Sequence, residues 1–340
     1  MKGRKEMISE SNLGSLLKKD AYSHSVSVIS RIDTHISWVF LTGSFVYKIK
    51  KPVKFTFLDF STPEKRKFFC EEEIRLNRRL SPEIYLGVVQ VCEQNGLLNF
   101  KNNGEVVDYA VKLKQLPKEK KMDLLLKNKK VTKKHIEDLA EIISKFHEKV
   151  DTIKDPKYGN YSIVKSQIDD LSTVRAKIEE ELSLGNKIDS ILEKCDSFID
   201  KNKALFEKRQ LAGKIKDCHG DLHSANIFID DKIYVFDCIE FNNDFRFIDT
   251  ASEIAFMCMD LDYFKQKKLS NAFVESYVSL AKDSELLKLL DLYKSYRANV
   301  RAKVASLELL HPISEEQKKS AFERIGKYLE LAEEYSKRLS

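Results

Sequence analysis

The stretch CHGDLHSANIFIDDKIYVFDCIEF, Cys218 to Phe241, sets His219, Asp221, His223 and Asn226 ahead of an apolar run and closes on Asp237 and Glu240. Imidazoles, carboxylates and an amide this close together suit a metal site, a phosphoryl-transfer site, or a chain that simply turns between strands. NIFI and IYVF read as strands flanking DDK. With Asp231-Lys232 as a two-residue loop, Asp230 pairs with Ile233, Ile227 with Phe236 and Asn226 with Asp237. Opposed residues have Cβ atoms about 4.5–5.5 Å apart. An amide oxygen and a carboxylate so placed could share a hard cation such as Mg²⁺, and Asp221 lies a short loop upstream. The same two residues also punctuate strand ends in proteins that bind nothing there. Zinc on His219 and His223 is disfavoured: Gly220 lies between them, no third ligand stands out and HExxH is not matched.

Two further residues could do chemistry. In FVYKIKK, strand alternation puts Val46, Lys48 and Lys50 on one face and Phe45, Tyr47 and Ile49 on the other. A strand lysine normally points to solvent. In the following helix, Phe69, Glu73, Leu76 and Leu80 share one apolar stripe, while Glu71 and Glu72 lie off it and read as solvated. An inward acid is costly unless paired, and a lysine on a neighbouring strand would resolve both oddities.

The elements that must position these groups change character along the chain. VSVISRI, WVFLT, FVYKIKK, GVVQVCEQ, LLNFKN and VVDYAVKLKQL read as strands. One helix interrupts them, STPEKRKFFCEEEIRLNRRL, with Ser61 and Glu64 as a capping box and Pro63 in its first turn. Past Leu116-Pro117 the pattern becomes helical: Ile136, Leu139, Ala140, Ile143 and Phe146 recur at helical spacing, amphipathic helices fill Tyr161 to Lys208, and everything after Asp249 reads as helix. The class is therefore α+β, with a β-rich lobe over residues 1–116 and a mainly helical lobe over 117–340.

Composition bounds the rest. The 340 residues, 42% apolar and 33% charged, suffice for one large core or two smaller ones. A net charge of +6, from 59 basic and 53 acidic residues, is mild. It suits an anionic ligand and gives no reason to expect nucleic acid, and the Lys-rich run Pro117 to Lys134 reads as solvated surface. The start MKGRKEMISESNLG has no apolar h-region, so no signal peptide is expected, and no run is long enough to span a bilayer. The six cysteines form no CxxC pair and read as reduced, buried thiols of a cytoplasmic protein. Oligomeric state is left open.

Taken in chain order, Lys48, Glu73, Asp221, Asn226 and Asp237 are the parts of a phosphoryl-transfer site. HGDLHSAN resembles the HGDxHxxN catalytic loop of the aminoglycoside phosphotransferase and choline-kinase-like families rather than HRDLxxxN of protein kinases. THISWVFLTGSFVYKIKKPVKFTFLDFST, CEEEIRLNRRLSPEIYLGVV and FDCIEFNNDFRFIDTASEIAF are similar to a bacterial family of aminoglycoside-phosphotransferase-like kinases, some of which carry a fused P-loop domain; no GxxxxGKS or GxxxxGKT occurs here. The resemblance covers nearly the whole chain.

It implies a protein-kinase-like two-lobe fold with ATP between the lobes. Asp221 would take or orient the acceptor proton, Asn226 and Asp237 would bind Mg²⁺, Lys48 would hold the α- and β-phosphates, and Glu73 would orient Lys48. Lys114, Gln115 and Leu116 would offer backbone groups to adenine, His219 would brace the loop, and Asp249 would support it from the following helix or else cap that helix. Two departures are the missing GxGxxG, whose place the turn Asp33 to Ser37 takes with the Thr34 and Ser37 hydroxyls or backbone amides, and DCI in place of DFG. The implied activity is an ATP- and Mg²⁺-dependent phosphotransferase acting on a hydroxyl of a small polar molecule. The helical insert at about 161–208 and the segment Leu292 to Val304 would shape the acceptor pocket. Arg297 and Arg301, at i and i+4, could hold an anionic acceptor or be solvated helix arginines. A protein or peptide kinase would show an APE motif, which is absent. A nucleotide-binding pseudokinase or scaffold would show degeneration, and all five polar residues are present.

Overall fold

Aromatic and β-branched residues dominate the first third of the chain, and they build one antiparallel sheet. In the computed structural model, Ile8, residues 10–310 and residues 313–339 are described; the opening residues 1–7, read above for a leader, lie outside them. The chain divides into two units, Met1–Lys120 with Tyr234–Asn243, and Lys121–Ile233 with Asp244–Ser340.

The first unit begins with a short helix, α1 (Glu10–Leu13), and the strands β1 (Ser30–Asp33), β2 (Ser37–Leu41) and β3 (Phe45–Lys50). A small hairpin, β4 (Lys54–Phe55) and β5 (Leu58–Asp59), leads into α2 (Pro63–Asn77), and β6 (Tyr85–Gln94), β7 (Leu97–Asn99) and β8 (Glu105–Lys114) follow. The main sheet runs β1-β2-β3-β8-β6-β7 with antiparallel neighbours. Alternation sorts its faces. Trp38, Phe40, Tyr47 and Ile49 join Leu13, Leu16, Tyr22 and Phe100 in one apolar cluster. Each such side chain gains roughly 1.5–3 kcal/mol from burial. Lys48 and Lys50 take the opposite face of β3, and α2 packs beside β8 and β6. One ion pair fixes that helix: Arg66 and Asp108 are both fully buried, and the Arg66 guanidinium also donates to the Phe60 carbonyl at 2.8 Å.

The helix starts one residue later than the expected capping box. Pro63 disfavours helical geometry at the residue before it, so Thr62 is extended and its Oγ1 accepts from Lys65 N at 3.3 Å. Ser61 instead donates its hydroxyl to Asp59 at 2.5 Å.

The second unit carries α3 (Met122–Lys127), α4 (Lys133–Lys149), α5 (Tyr161–Asp169), α6 (Arg175–Leu182), α7 (Gly185–Lys201) and α8 (Lys203–Leu211). The strands β9 (Ile215–Asp217), β10 (Ile227–Ile229), β11 (Ile233–Val235, whose last two residues belong to the first unit) and β12 (Phe247–Asp249) come next. The helices α9 (Thr250–Tyr263), α10 (Lys267–Ala281), α11 (Leu290–Leu307) and α12 (Glu315–Ser336) complete it. β9 pairs antiparallel with β12. α9 is buried from Thr250 to Leu261, as expected of a helix that is apolar nearly all round. α10 packs on α4 and α9, and α11 on α9 and α12. All six cysteines are buried and none is in a disulfide. Among the described residues, no helix is long and apolar enough to cross a membrane.

Candidate active site

The first unit assembles a buried charge cluster. Lys48 Nζ lies 3.0 Å from Glu73 Oε1 and 2.6 Å from Asp237 Oδ1. Lys50, two residues on and therefore on the same face, donates to Glu73 Oε2 at 2.7 Å and to Glu240. Glu73 and Lys50 are fully buried, Glu240 nearly so, while the Asp237 side chain is 43% exposed. Glu73 thus takes one lysine on each carboxylate oxygen. Burial alone would raise its pKa, but Lys48 and Lys50 bring it down to about 2. Burial would likewise lower Lys48, yet Asp237, Glu73 and Glu240 hold it well above the ordinary lysine value. Lys50 is raised in the same way by Glu240 and Glu73 against burial. Glu240 moves up: burial dominates, and Glu73 adds to it against the pull of Lys50. Lys48, Lys50 and Glu73 are therefore pushed further into their charged forms, and Glu240 is not.

Three side chains anchor the segment that brings Asp237 here. Ser81 donates its hydroxyl to the Val235 carbonyl at 2.7 Å, Tyr85 Oη accepts from Asp237 N at 3.0 Å, and Asn77 Oδ1 accepts from Cys238 N at 2.9 Å. Asp237 adopts a left-handed backbone with φ +64°. Aspartate tolerates this better than most residues, at a cost of about 1–2 kcal/mol, and the three anchors hold it there.

The other nucleotide-side expectations are met unevenly. Lys114 N donates to Ile84 O at 2.9 Å and Gln115 N to Ser44 O at 3.0 Å, so both donors are spent on the fold. The Gln115 side chain accepts from Gly43 N at 2.9 Å. Only the Leu116 N–H of the three finds no partner among the described residues. In the Asp33 to Ser37 turn, Thr34 Oγ1 bonds both Ser37 N and Ser37 O, and the Ser37 hydroxyl is buried with no partner. The Thr34 hydroxyl closes the turn, and the Ser37 hydroxyl is enclosed.

The second unit holds the loop from Cys218 to Asn226. Glu253, on α9 and fully buried, accepts from His219 N at 2.6 Å and Gly220 N at 2.9 Å. Asp260, also on α9, accepts from Ser224 N at 2.8 Å. Arg297 of α11 donates from Nη1 to Gly220 O at 3.2 Å and from Nε to Ser252 O at 3.3 Å. His219 Nδ1 accepts from Asp221 N at 3.3 Å. Gly220 has φ +88°, a conformation that favours glycine and aims the following aspartate.

Asp221 is the pivot of this loop. Asn226 Nδ2 donates to its Oδ2 at 2.8 Å and to its carbonyl at 3.0 Å. His223 Nδ1 accepts from Ala225 N at 3.2 Å, which assigns the ring proton to Nε2, 3.3 Å from Asp221 Oδ2. Burial would raise the Asp221 pKa, but His223, Arg301 and His219 hold it far below the ordinary carboxylate range. Its side chain is still 34% exposed. Asn226 spends its NH₂ group on Asp221 and leaves Oδ1 with no donor among the described residues. The amide oxygen of Asn226 is a hard ligand of the kind Mg²⁺ prefers.

Three expectations need correction. Asp249 takes the second of its two expected roles, the helix cap, but is buried rather than exposed: it caps α9 through Ala251 N at 2.8 Å and pairs with both Nε and Nη2 of Arg209 at 2.7 Å. Glu253 holds the loop instead, one helical turn further on. Arg297 is 4% exposed with its guanidinium on backbone carbonyls, so it can neither meet an acceptor nor be solvated. Arg301 is only partly buried. Finally, β10 ends at Ile229 and β11 starts at Ile233, a three-residue connection rather than the expected two, within which Asp230 N donates to Lys232 O at 3.0 Å, and the count that set Asn226 opposite Asp237 loses its starting point.

Sequence reasoning passes over Lys50, Glu240, Glu253 and the Asn77, Ser81 and Tyr85 anchors. A signal existed for two of them: Glu240 and Glu253 are acids inside apolar runs, the same anomaly that singles out Glu73.

No family model matches the chain. The uncharacterized proteins Rv2004c of Mycobacterium tuberculosis and Mb2027c of Mycobacterium bovis are 30% identical over 275 residues, 80% of this chain and 53% of theirs. The chain thus spans about half the length of the curated relatives it matches. Among solved structures, a choline kinase from Cryptosporidium parvum superposes with a TM-score of 0.55 at 10% identity over 96% of each chain. The apo form of a thermostable mutant of aminoglycoside phosphotransferase APH(4)-Ia gives 0.53 at 12%, over 93% of this chain and 98% of its own. An ethanolamine kinase from Plasmodium vivax gives 0.51 at 12%, over 88% and 81%. The chain has a protein-kinase-like fold. In that fold the first unit is the β-sheet lobe and the second the helical lobe, so Lys48, Glu73 and Asp237 stand together in the sheet unit, and Asp221, Asn226 and His219 in the helical one.

Proposed function

We propose that this chain is an ATP- and Mg²⁺-dependent phosphotransferase acting on a hydroxyl of a small polar molecule. The observation that carries the reading is Lys48, an ammonium held between buried Glu73 and half-exposed Asp237. A lysine fixed by a helix glutamate beside a metal-binding aspartate is what phosphate binding requires. The likeness to choline, ethanolamine and aminoglycoside kinases supports a small-molecule acceptor over a protein.

Lys48 would hold the α- and β-phosphates, with Glu73 keeping its amine in place and charged. Asp237 and the Asn226 amide oxygen would hold Mg²⁺, which when bound neutralises charge on the transferred group. The Leu116 N–H is the connector donor left for adenine. Asp221, anionic and gripped by His223 and Asn226, would align the acceptor hydroxyl. As the acceptor oxygen bonds to the γ-phosphorus, the bond from that phosphorus to the bridging oxygen breaks, ADP leaves, and the hydroxyl proton passes to Asp221. A carboxylate with so low a pKa is a weak base, so it takes the proton late, and positioning supplies most of the rate.

The test is stabilisation by nucleotide. Millimolar MgATP should raise the Tm of the wild type by mass action, and Lys48→Met should remove most of that shift. A folded wild type with no shift refutes the reading.

A further inference from the structure

The acceptor side of Asp221 has one charge left over. Arg297 ties α11 to Gly220, the residue before Asp221, and Arg301 follows one turn later on the same helix face. Its guanidinium lies over the Tyr328 ring at 5.8 Å, and Tyr328 stacks on Tyr263 with centroids 4.5 Å apart and planes 17° apart. Among the described residues, no carboxylate lies within 4 Å of Arg301. Of the neighbouring cations, Arg324 pairs with Glu308, Lys294 with Asp262 and Lys303 with Asp170, while Lys327 is exposed and lies 6.0 Å from the Tyr263 ring centroid. The acids are matched as well, Asp260 by Ser224 N, Asp262 by Lys294 and Tyr335, and Asp221 by His223 and Asn226. A partly buried cation normally acquires a partner, because leaving it unpaired is costly. Burial would lower its pKa, but Tyr328, by its charge and a hydrogen bond, and the nearby Asp221 and Asp260 raise it instead.

We propose that the acceptor is an anion: a hydroxyl compound bearing a phosphate or carboxylate, whose charge pairs with Arg301 over the stacked Tyr263 and Tyr328 rings while its hydroxyl meets Asp221. This rests on the phosphotransferase reading and narrows its substrate class. A cationic amine brought to the same place would face Arg301 uncompensated. Arginine suits the role because its planar fork pairs two oxygens at once.

The test uses one carbon skeleton in four charge states: glucose, glucosamine, gluconate and glucose 6-phosphate, each with MgATP. Turnover is followed by ADP release, and binding by thermal shift. The expected result is preference for gluconate or glucose 6-phosphate, and the arm that wins tells carboxylate from phosphate. Arg301→Met should then raise KM for that anion on the order of 10–100-fold, from loss of a charge-assisted pair, with kcat little changed, and Arg301→Lys should restore part of it. If no probe turns over, the anions must still stabilise the wild type more than Arg301→Met. Faster turnover of glucose or glucosamine, or anion effects identical in wild type and Arg301→Met, would overturn the proposal. Either result with the MgATP shift intact leaves the kinase reading standing. Loss of the MgATP shift in the wild type sinks that reading instead.

Discussion

Replacing Glu73 with glutamine removes one buried carboxylate and leaves two lysines facing a neutral amide. Lys50 is fully buried and would keep only Glu240; Lys48 would keep only Asp237, which is half in water. Breaking a buried pair from one side costs about 3–5 kcal/mol. The pKa gives a second route to the size. Glu73 is held at about 2 against an ordinary 4.5, which corresponds to about 3 kcal/mol. The sign follows from the depressed value: the contribution is present above pH 4.5 and is lost as pH falls toward 2. Trp38 supplies a local probe, since it is the chain's single tryptophan and is buried in the sheet of the same unit. Urea unfolding at pH 7, followed by its fluorescence, should show Glu73→Gln less stable by about 3–5 kcal/mol, and a Tm lower by on the order of 10 °C. Glu71→Gln, two residues back and exposed beside Lys67 at 3.8 Å, should change stability by less than about 0.5 kcal/mol. A Glu73→Gln loss below about 1 kcal/mol, indistinguishable from Glu71→Gln, would refute the claim that this cluster is buried and mutually paired.

Asp221→Asn should leave the MgATP shift intact while turnover falls on the order of 10²–10⁴-fold; full turnover would deny Asp221 any part in the chemistry. Asp237→Asn should abolish the Mg²⁺-dependence of nucleotide binding as well as turnover, measured as the Tm shift from ATP with and without Mg²⁺. Glu253→Gln keeps the shape of the loop brace but loses its charge. It should lower kcat at least about tenfold, because of the two charge-assisted bonds to His219 N and Gly220 N one becomes neutral and the other is lost to an NH₂ group that cannot accept, with the MgATP shift retained. An unchanged kcat would show that the brace does not position Asp221.

What was legible in the sequence followed local rules. Alternation put Lys48 on the face opposite Tyr47 and Ile49, and helical periodicity turned Glu73 inward; each rule spans only a few residues, and the two groups meet at 3.0 Å. The strands from Phe45 to Lys50 and Glu105 to Lys114 and the helices after Asp249 were legible for the same reason. What escaped depends on tertiary partners. Glu240 lies 190 residues from Lys50, and nothing local joins them. Arg297 and Arg301 look alike on a helical wheel, yet one props a backbone carbonyl in the interior and the other is partly exposed. The hairpin count failed at a single turn residue, which is enough to shift every pairing beyond it. The capping box slipped by one because the constraint Pro63 places on Thr62 outweighs the Ser61 and Glu64 pattern.

The loop around Asp221 also shows why its surroundings are so highly charged. It has almost no regular secondary structure of its own, so its backbone donors and acceptors need partners supplied from elsewhere. Glu253 and Asp260 come from α9 and Arg297 from α11, two helices packed on each other. Burying Glu253 is unfavourable in isolation. Its pKa is nevertheless lowered, because His147, whose Nε2 lies 3.8 Å away, His219 and the loop amides outweigh burial. The loop and the helix charges therefore stabilise one another, and neither is satisfied if the loop moves. That mutual dependence fixes the Asp221 carboxylate to helices rather than to a flexible turn. Where the barrier is lowered by alignment more than by proton abstraction, a rigid and strongly acidic aspartate suits the reaction better than a mobile one with a pKa near 7.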